Sequence, residues 1–219
     1  MPQHSADGAA RMVRMRAESG GERPQARGRK SGARRTEIIR TAIGIINARS
    51  YELATMREIA AALDLRDAAL YYYFPSKQAL AYAAHVYSLE RFERTLTLAT
   101  DGPGTGLERL RRFLLHFLEE SNANGPQLYF GEHTYLDENQ RRAIDEWAGR
   151  LTGTIAAVVQ DGIGDRSIRQ CEVGLVVQLL LGMLIWLAKW TPSIENLTPA
   201  RLMQAIDDLA IAGLDGRTS

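Results

Sequence analysis

Residues 55–80 read TMREIAAALDLRDAALYYYFPSKQAL, two short helical segments separated by a break. In the first half Met56, Ile59, Ala60 and Leu63 recur at the i, i+3, i+4, i+7 spacing of one helical face, and the Thr55 hydroxyl stands where it can cap the helix start. Asp64 interrupts the run. The second half has room for about two turns, with Leu70 and Phe74 one turn apart facing inward and Asp67, Ala68, Tyr71 and Tyr72 on the opposite face. Pro75 ends this helix, and Ser76 is placed to cap the next.

A helix of about two turns does not hold itself together in water, so the segment before it must prop it, leaving its outer face free for a partner. Such a face fits a DNA major groove. Three consecutive tyrosines, Tyr71 to Tyr73, cannot all point into a core from one helix. The string LYYYFPSKQAL, preceded by TMREIAAALDL, resembles the signature of the TetR/AcrR family of bacterial transcription regulators over roughly Arg35 to Tyr82.

The resemblance implies a helix-turn-helix unit on double-stranded operator DNA and assigns roles position by position. Thr55, Tyr73 and Lys77 match residues that hold phosphates, and Arg57 matches a position that reaches a base edge. Arg66, Asp67, Ala68, Ala69, Tyr71 and Tyr72 occupy the matching recognition surface; of these, Asp67 is expected to cap its helix rather than read a base. The family usually has glycine where Ser50 and Asp64 stand, so both turns are expected to take left-handed backbone geometry at some cost in strain.

With 219 residues, 45% of them apolar, the chain can bury a substantial core. Cys171 stands alone, which excludes a disulfide framework and a cysteine-based metal cluster and suits a reducing cytoplasm. Charge is uneven: nine Lys/Arg against three Asp/Glu leave residues 1–35 at +6 and the remainder at −5. No secretory signal is visible in the Arg-, Gly- and Ala-rich start, where Met12 and Met15 offer alternative initiation points. The apolar run from Val173 to Ala188, broken by Gln178, falls short of the roughly 20 residues a bilayer requires and reads as a buried helix.

Three regions follow: a disordered basic arm (1–33) expected to add affinity for DNA without sequence choice, a DNA-binding domain (34–82), and a helical effector-binding and dimerisation domain (83–219). A bracing helix is expected from an N-cap at Thr36 to about Arg49, with Ile39, Ala42, Ile43 and Ile46 inward. Beyond Pro75, helices are expected from Ser76 to about Leu98, from Leu107 to Asn122, around Gln127 to Leu136, from Asp137 to about Gly162, from Ser167 to Trp190 and from Thr198 to Leu214. No segment alternates as a strand, so the class is all-α. The last two helices carry apolar faces, Leu175, Leu179, Gly182 and Trp186 on one and Leu202, Ile206 and Leu209 on the other, that fit a four-helix homodimer contact.

Within the helical body, Phe117, Tyr129, Phe130, His133, Tyr135, Trp147, Met183, Trp186 and Trp190 are the candidates for lining a small-molecule pocket. His116 with Glu119 or Glu120 gives only two metal-type ligands, and neither a nucleophile elbow nor a zinc spacing occurs. The reading is therefore a cytoplasmic, ligand-responsive repressor without cofactor or catalytic site, released from DNA by a lipophilic or acyl-CoA-like effector that the C-terminal stretch suggests by family similarity. A constitutive DNA binder whose body only dimerises, or an enzyme or carrier on a borrowed fold, are the competing readings; operator binding and its loss on adding ligand separate them.

Overall fold

Proline opens the first helix, at a position where its missing N–H costs nothing. A computed structural model describes residues 24–128 and 133–216, which form helices α1 (Pro24–Arg49), α2 (Met56–Ala61), α3 (Asp67–Tyr73), α4 (Lys77–Thr100), α5 (Gly106–Asn124), α6 (Glu138–Gly164), α7 (Val173–Trp190) and α8 (Pro199–Ile206). A π-helical turn, Asp207–Ile211, extends α8. The chain divides into two compact units, residues 1–36 and 37–219. Of the first, the described part is the opening of α1; the cores, the reading unit and the body belong to the second.

Helix α1 begins a dozen residues before the expected start, so Thr36 lies inside it and caps nothing. Residues 25–35 lack apolar periodicity but are rich in Arg, Ala, Gln and Lys, whose intrinsic helix preference is among the highest. Residues 1–23, most of the expected basic arm, lie outside the described residues.

The turns around the reading unit form as anticipated. Ser50 and Asp64 adopt φ of 78° and 52°, the left-handed region where glycine is cheapest. Thr55 accepts a hydrogen bond from the Glu58 amide (3.1 Å) and Ser76 one from the Ala79 amide (3.1 Å), so both capped starts are real. One core, built on Ile38, Ile43, Ile59, Leu70, Phe74 and Leu80, holds α1 to α3 against the start of α4. A second, on Leu89, Phe92, Leu110, Phe113, Leu114 and Ile144, fills the body. Helix α4 belongs to both, with Leu80 and Ala84 in the first core and Leu89, Phe92 and Leu96 in the second.

In the body, helices α5 and α6 begin with capping boxes, Thr105 with Glu108 and Asp137 with Gln140. Their backbones touch where a Cβ on Gly106 would stand 2.3 Å from the Gly162 Cα. Two expected helical segments are corrected. Residues 125–128 are not helical, and 133–136 form a turn. Tertiary bonds occupy this backbone: Arg91 donates to the Gly125 and Pro126 carbonyls, Asn47 to the Gln127 carbonyl, and the Leu128 amide donates to Ser88 Oγ. Residues 167–172 are likewise not helical, because the Asp165 carboxylate and Ser167 hydroxyl accept from the Gly106 and Leu107 amides and Ile168 pairs with Asp215 in an isolated bridge. Helix α7 therefore starts at Val173.

Candidate DNA interface and ligand cavity

Helix α3 shows how a short element is held. Leu70 (0% exposed) and Phe74 (1%) anchor it, while Tyr71 (50%) and Tyr72 (82%) stand out from the surface beside exposed Arg66, Asp67 and Ala68. Ala69 and Tyr73 are half-buried, Tyr73 edge-on to Tyr72 at 5.3 Å. Arg57 projects from the first turn of α2, and its neighbour Glu58 is engaged by Arg49 at 2.6 Å. Thr55 is exposed, and its cap bond uses the hydroxyl oxygen as acceptor without consuming the hydroxyl proton.

Two expected roles change. Asp67 is not the cap: Arg66 holds that position without a side-chain bond, and Asp67 follows as the first helical residue, where its charge complements the helix N-terminus. Lys77 does not face a phosphate. Its ammonium lies 4.2 Å from the Tyr51 ring centre and donates to the carbonyls of Tyr51 (2.8 Å), Glu52 (3.3 Å) and Ala54 (3.0 Å), which uses all three protons to close the end of the α1–α2 turn.

That turn leads into the body through stacked rings. Tyr51 lies flat on Tyr135 (centroids 3.5 Å, 11° between planes), the Tyr135 hydroxyl shares a hydrogen bond with His85 Nε2 (2.9 Å), and His133 meets His85 edge-on and pairs with Asp145 (2.8 Å). Tyr135 and His133, expected to line a ligand pocket, thus join the reading unit to the body. His85 on α4 is fully buried; loss of water, and secondarily the neighbouring His133, lower its pKa from 6.5 to about 4. The folded protein keeps it neutral while the unfolded chain takes up a proton near pH 6.5. Its contribution is therefore complete above that pH and fades as pH falls toward 4. Lowering the pH from 7 to 5 should cost the parent roughly 1–2 kcal/mol more than it costs His85→Gln, read from urea titrations; equal losses would place the titrating group elsewhere.

Against residues 126–128 lies a cavity of about 360 Å³, walled by Phe92 of α4, Phe117, Leu118 and Ser121 of α5, Gln127 and Leu128, Leu184, Ile185, Leu187 and Ala188 of α7, and Ile194, Leu197, Thr198, Pro199 and Leu202. Of the aromatic and polar residues expected to line a pocket, Phe117 does. Trp147, Met183 and Trp190 pack against the body core instead, and Trp186 is 56% exposed. Tyr129 and Phe130 lie outside the described residues. The polar lining, Ser121, Asn122, Gln127, Thr191 and Thr198, carries no periodic signal in the sequence.

Helix α7 is not buried all round, against the reading of residues 173–188 as a buried helix, and its exposed side carries the residues expected to face outward. Val177, Leu180, Leu184 and Leu187 face the core, while Leu175 (54%), Leu179 (66%) and Trp186 (56%) form an exposed stripe, and Leu209 (83%) stands exposed beyond α8. Its length and composition also meet those of a bilayer span. Leu202 and Ile206, expected on the same outward face as Leu209, turn inward instead: Ile206 is 3% exposed and Leu202 lines the cavity.

Two family profiles match the chain, one described as bacterial regulatory proteins of the tetR family over residues 38–84, the other as a tetracyclin repressor-like C-terminal domain over residues 103–214. No curated protein matches. Among solved structures, the TetR-family regulator PfmR from Thermus thermophilus is 24% identical with a TM-score of 0.68, the match covering 81% of this chain and 98% of that one. AibR, solved with isovaleryl coenzyme A and operator DNA, is 24% identical at a TM-score of 0.66, covering 83% and 98%. The ketosteroid regulator KstR2 of Mycobacterium tuberculosis is 20% identical at 0.72, covering 83% and 95%. These share the fold. With the two profiles together spanning more than half of its length, the chain belongs to the TetR family of bacterial DNA-binding transcription regulators, which are not enzymes.

Proposed function

We propose that this regulator is a ligand-responsive repressor that grips an operator as a homodimer in the bacterial cytoplasm and releases it when a small molecule fills the body cavity. The observation that carries the reading is a shared residue at the end of α1. Asn47, buried in the brace of the reading unit, donates to the Gln127 carbonyl on the cavity wall (2.8 Å), and its own carbonyl accepts from Lys189 of α7, next to cavity-lining Ala188. Anything that moves the wall or α7 moves the brace. A ligand shifts DNA affinity only if it binds the released arrangement better, and this linkage is the route by which an occupied cavity reaches the reading unit.

AibR, crystallised with a coenzyme A thioester and operator DNA, supports ligand control on this fold. Of lipophilic and acyl-CoA-like effectors, the cavity favours the lipophilic, since about 360 Å³ leaves the nucleotide part of a coenzyme A thioester outside.

On DNA, Arg57, Tyr71 and Tyr72 are the groups free to meet base edges, with Thr55, Arg66 and Tyr73 at the phosphates. Footprinting on DNA flanking the gene, followed by anisotropy titrations, tests the reading. Arg57→Ala should lose roughly 1–3 kcal/mol of discrimination at one base pair with thermal stability nearly unchanged. A variant that ranked every operator mutant as the parent does would remove the base-reading role.

A further inference from the structure

The cavity says more about its occupant than size. No charged side chain lines it among the described residues. Its walls are mostly aliphatic and aromatic, yet the Gln127 side chain, on a residue 8% exposed, has neither Oε1 nor Nε2 hydrogen-bonded, and the buried Ser121 Oγ on the facing helix also lacks a protein partner. Buried amides are expensive to leave unpaired, so a carboxamide kept bare at the wall of an apolar space marks the place of a ligand's polar group.

Two cations beside the lining stay outside it: Arg91 is closed by Glu120 and by the Gly125 and Pro126 carbonyls, and Lys189 gives a proton to the Asn47 carbonyl. An anion entering the cavity would lose water without gaining a counter-ion, and a cation likewise. Gln127 presents one acceptor and two donors, and Ser121 one of each.

We infer that the cavity takes an uncharged lipophilic molecule bearing one group that both donates and accepts hydrogen bonds, a carboxamide or an alcohol, and that Gln127 is its polar anchor. This rests on the ligand-responsive reading above and narrows it. The same residue reports occupancy, because its main-chain carbonyl is the acceptor of Asn47. A ligand pulling on the carboxamide pulls on the peptide that holds α1.

Octanamide, octanoate and octanoyl-CoA separate the chemistries while keeping one alkyl chain. By isothermal titration calorimetry at pH 8, the full chain should bind octanamide and show at least tenfold weaker binding of octanoate and octanoyl-CoA. Gln127→Leu should weaken octanamide binding at least tenfold while melting no lower than the parent. Octanoate or octanoyl-CoA binding as tightly as octanamide overturns the inference, as does a Gln127→Leu variant with unchanged octanamide affinity. So does a chain that binds none of the three, whose cavity then holds water. The operator titration separates the two levels. Release of DNA by octanoyl-CoA alone leaves the ligand-responsive reading intact and removes only the uncharged occupant. A protein that binds its operator and neither binds nor responds to any of the three loses both.

Discussion

Arg91→Ala is expected to destabilise the protein by about 3–5 kcal/mol, a large share of what holds a typical domain together. The guanidinium is 1% exposed and grips Glu120 with both ends of its fork, Nε at 2.7 Å and Nη2 at 2.6 Å. Two further protons go to the Gly125 carbonyl (2.6 Å) and the Pro126 carbonyl (3.2 Å), and its face lies 5.4 Å from the Tyr87 ring centre. Truncation strands a carboxylate and two carbonyls at once, and the cost of breaking a buried pair from one side exceeds the net worth of the pair. Glu120 keeps 19% of its side chain in solvent, which places the loss toward the lower end. Denaturant unfolding measures it. Arg91→Lys should recover only part, since an ammonium cannot reproduce the fork. A loss below about 1 kcal/mol for Arg91→Ala would mean that residues 125–128 hold their path without this side chain.

Leu179→Glu should separate the dimer and reduce operator affinity roughly 10²- to 10⁴-fold, the avidity lost when two linked half-site contacts become independent. Leu179 is 66% exposed in the middle of the stripe formed with Leu175 and Trp186 on α7, and Leu209 is 83% exposed. Large apolar side chains aligned along one outward face mark a surface made to be covered. The same exposure means that the single chain does not depend on Leu179, so its melting should shift little at concentrations where the parent is also monomeric. Light scattering should give the mass of one chain for the variant and of two for the parent. A variant that remained dimeric with unchanged operator affinity would move the interface away from α7.

The reading unit was legible residue by residue because its determinants are local. The spacing of Met56, Ile59 and Ala60, the Thr55 and Ser76 caps, and the left-handed turns at Ser50 and Asp64 each depend on backbone geometry within about four residues, and all recur in the structure. The exposed tyrosines followed for the same reason: on a two-turn helix anchored by Leu70 and Phe74, Tyr71 and Tyr72 have nowhere else to point. Where propensity rather than periodicity governs, as in the Arg-rich opening of α1, apolar pattern alone placed the start too late.

The cavity and its linkage were not legible. Aromatic and polar content suggested Phe117, which lines the space, but also Trp147, Met183, Trp186 and Trp190, which do not; the rest of the wall includes Phe92, Gln127, Ser121 and aliphatic residues brought together from α4, α5, α7 and the approach to α8. Lys77 fitted a phosphate contact until the fold placed three carbonyls around its ammonium. On α7 the spacing of Leu175, Leu179 and Trp186 picked out the outward stripe, and these stand exposed, whereas Leu202 and Ile206 of α8, read the same way, turned inward to the cavity and the core. By itself, then, the sequence determined an all-α chain with a helix-turn-helix reader. The tertiary structure alone decided which polar groups are spent, which remain bare at a cavity wall, and which apolar faces stay open, because those depend on neighbours brought from distant parts of the chain, such as Gln127 on Asn47.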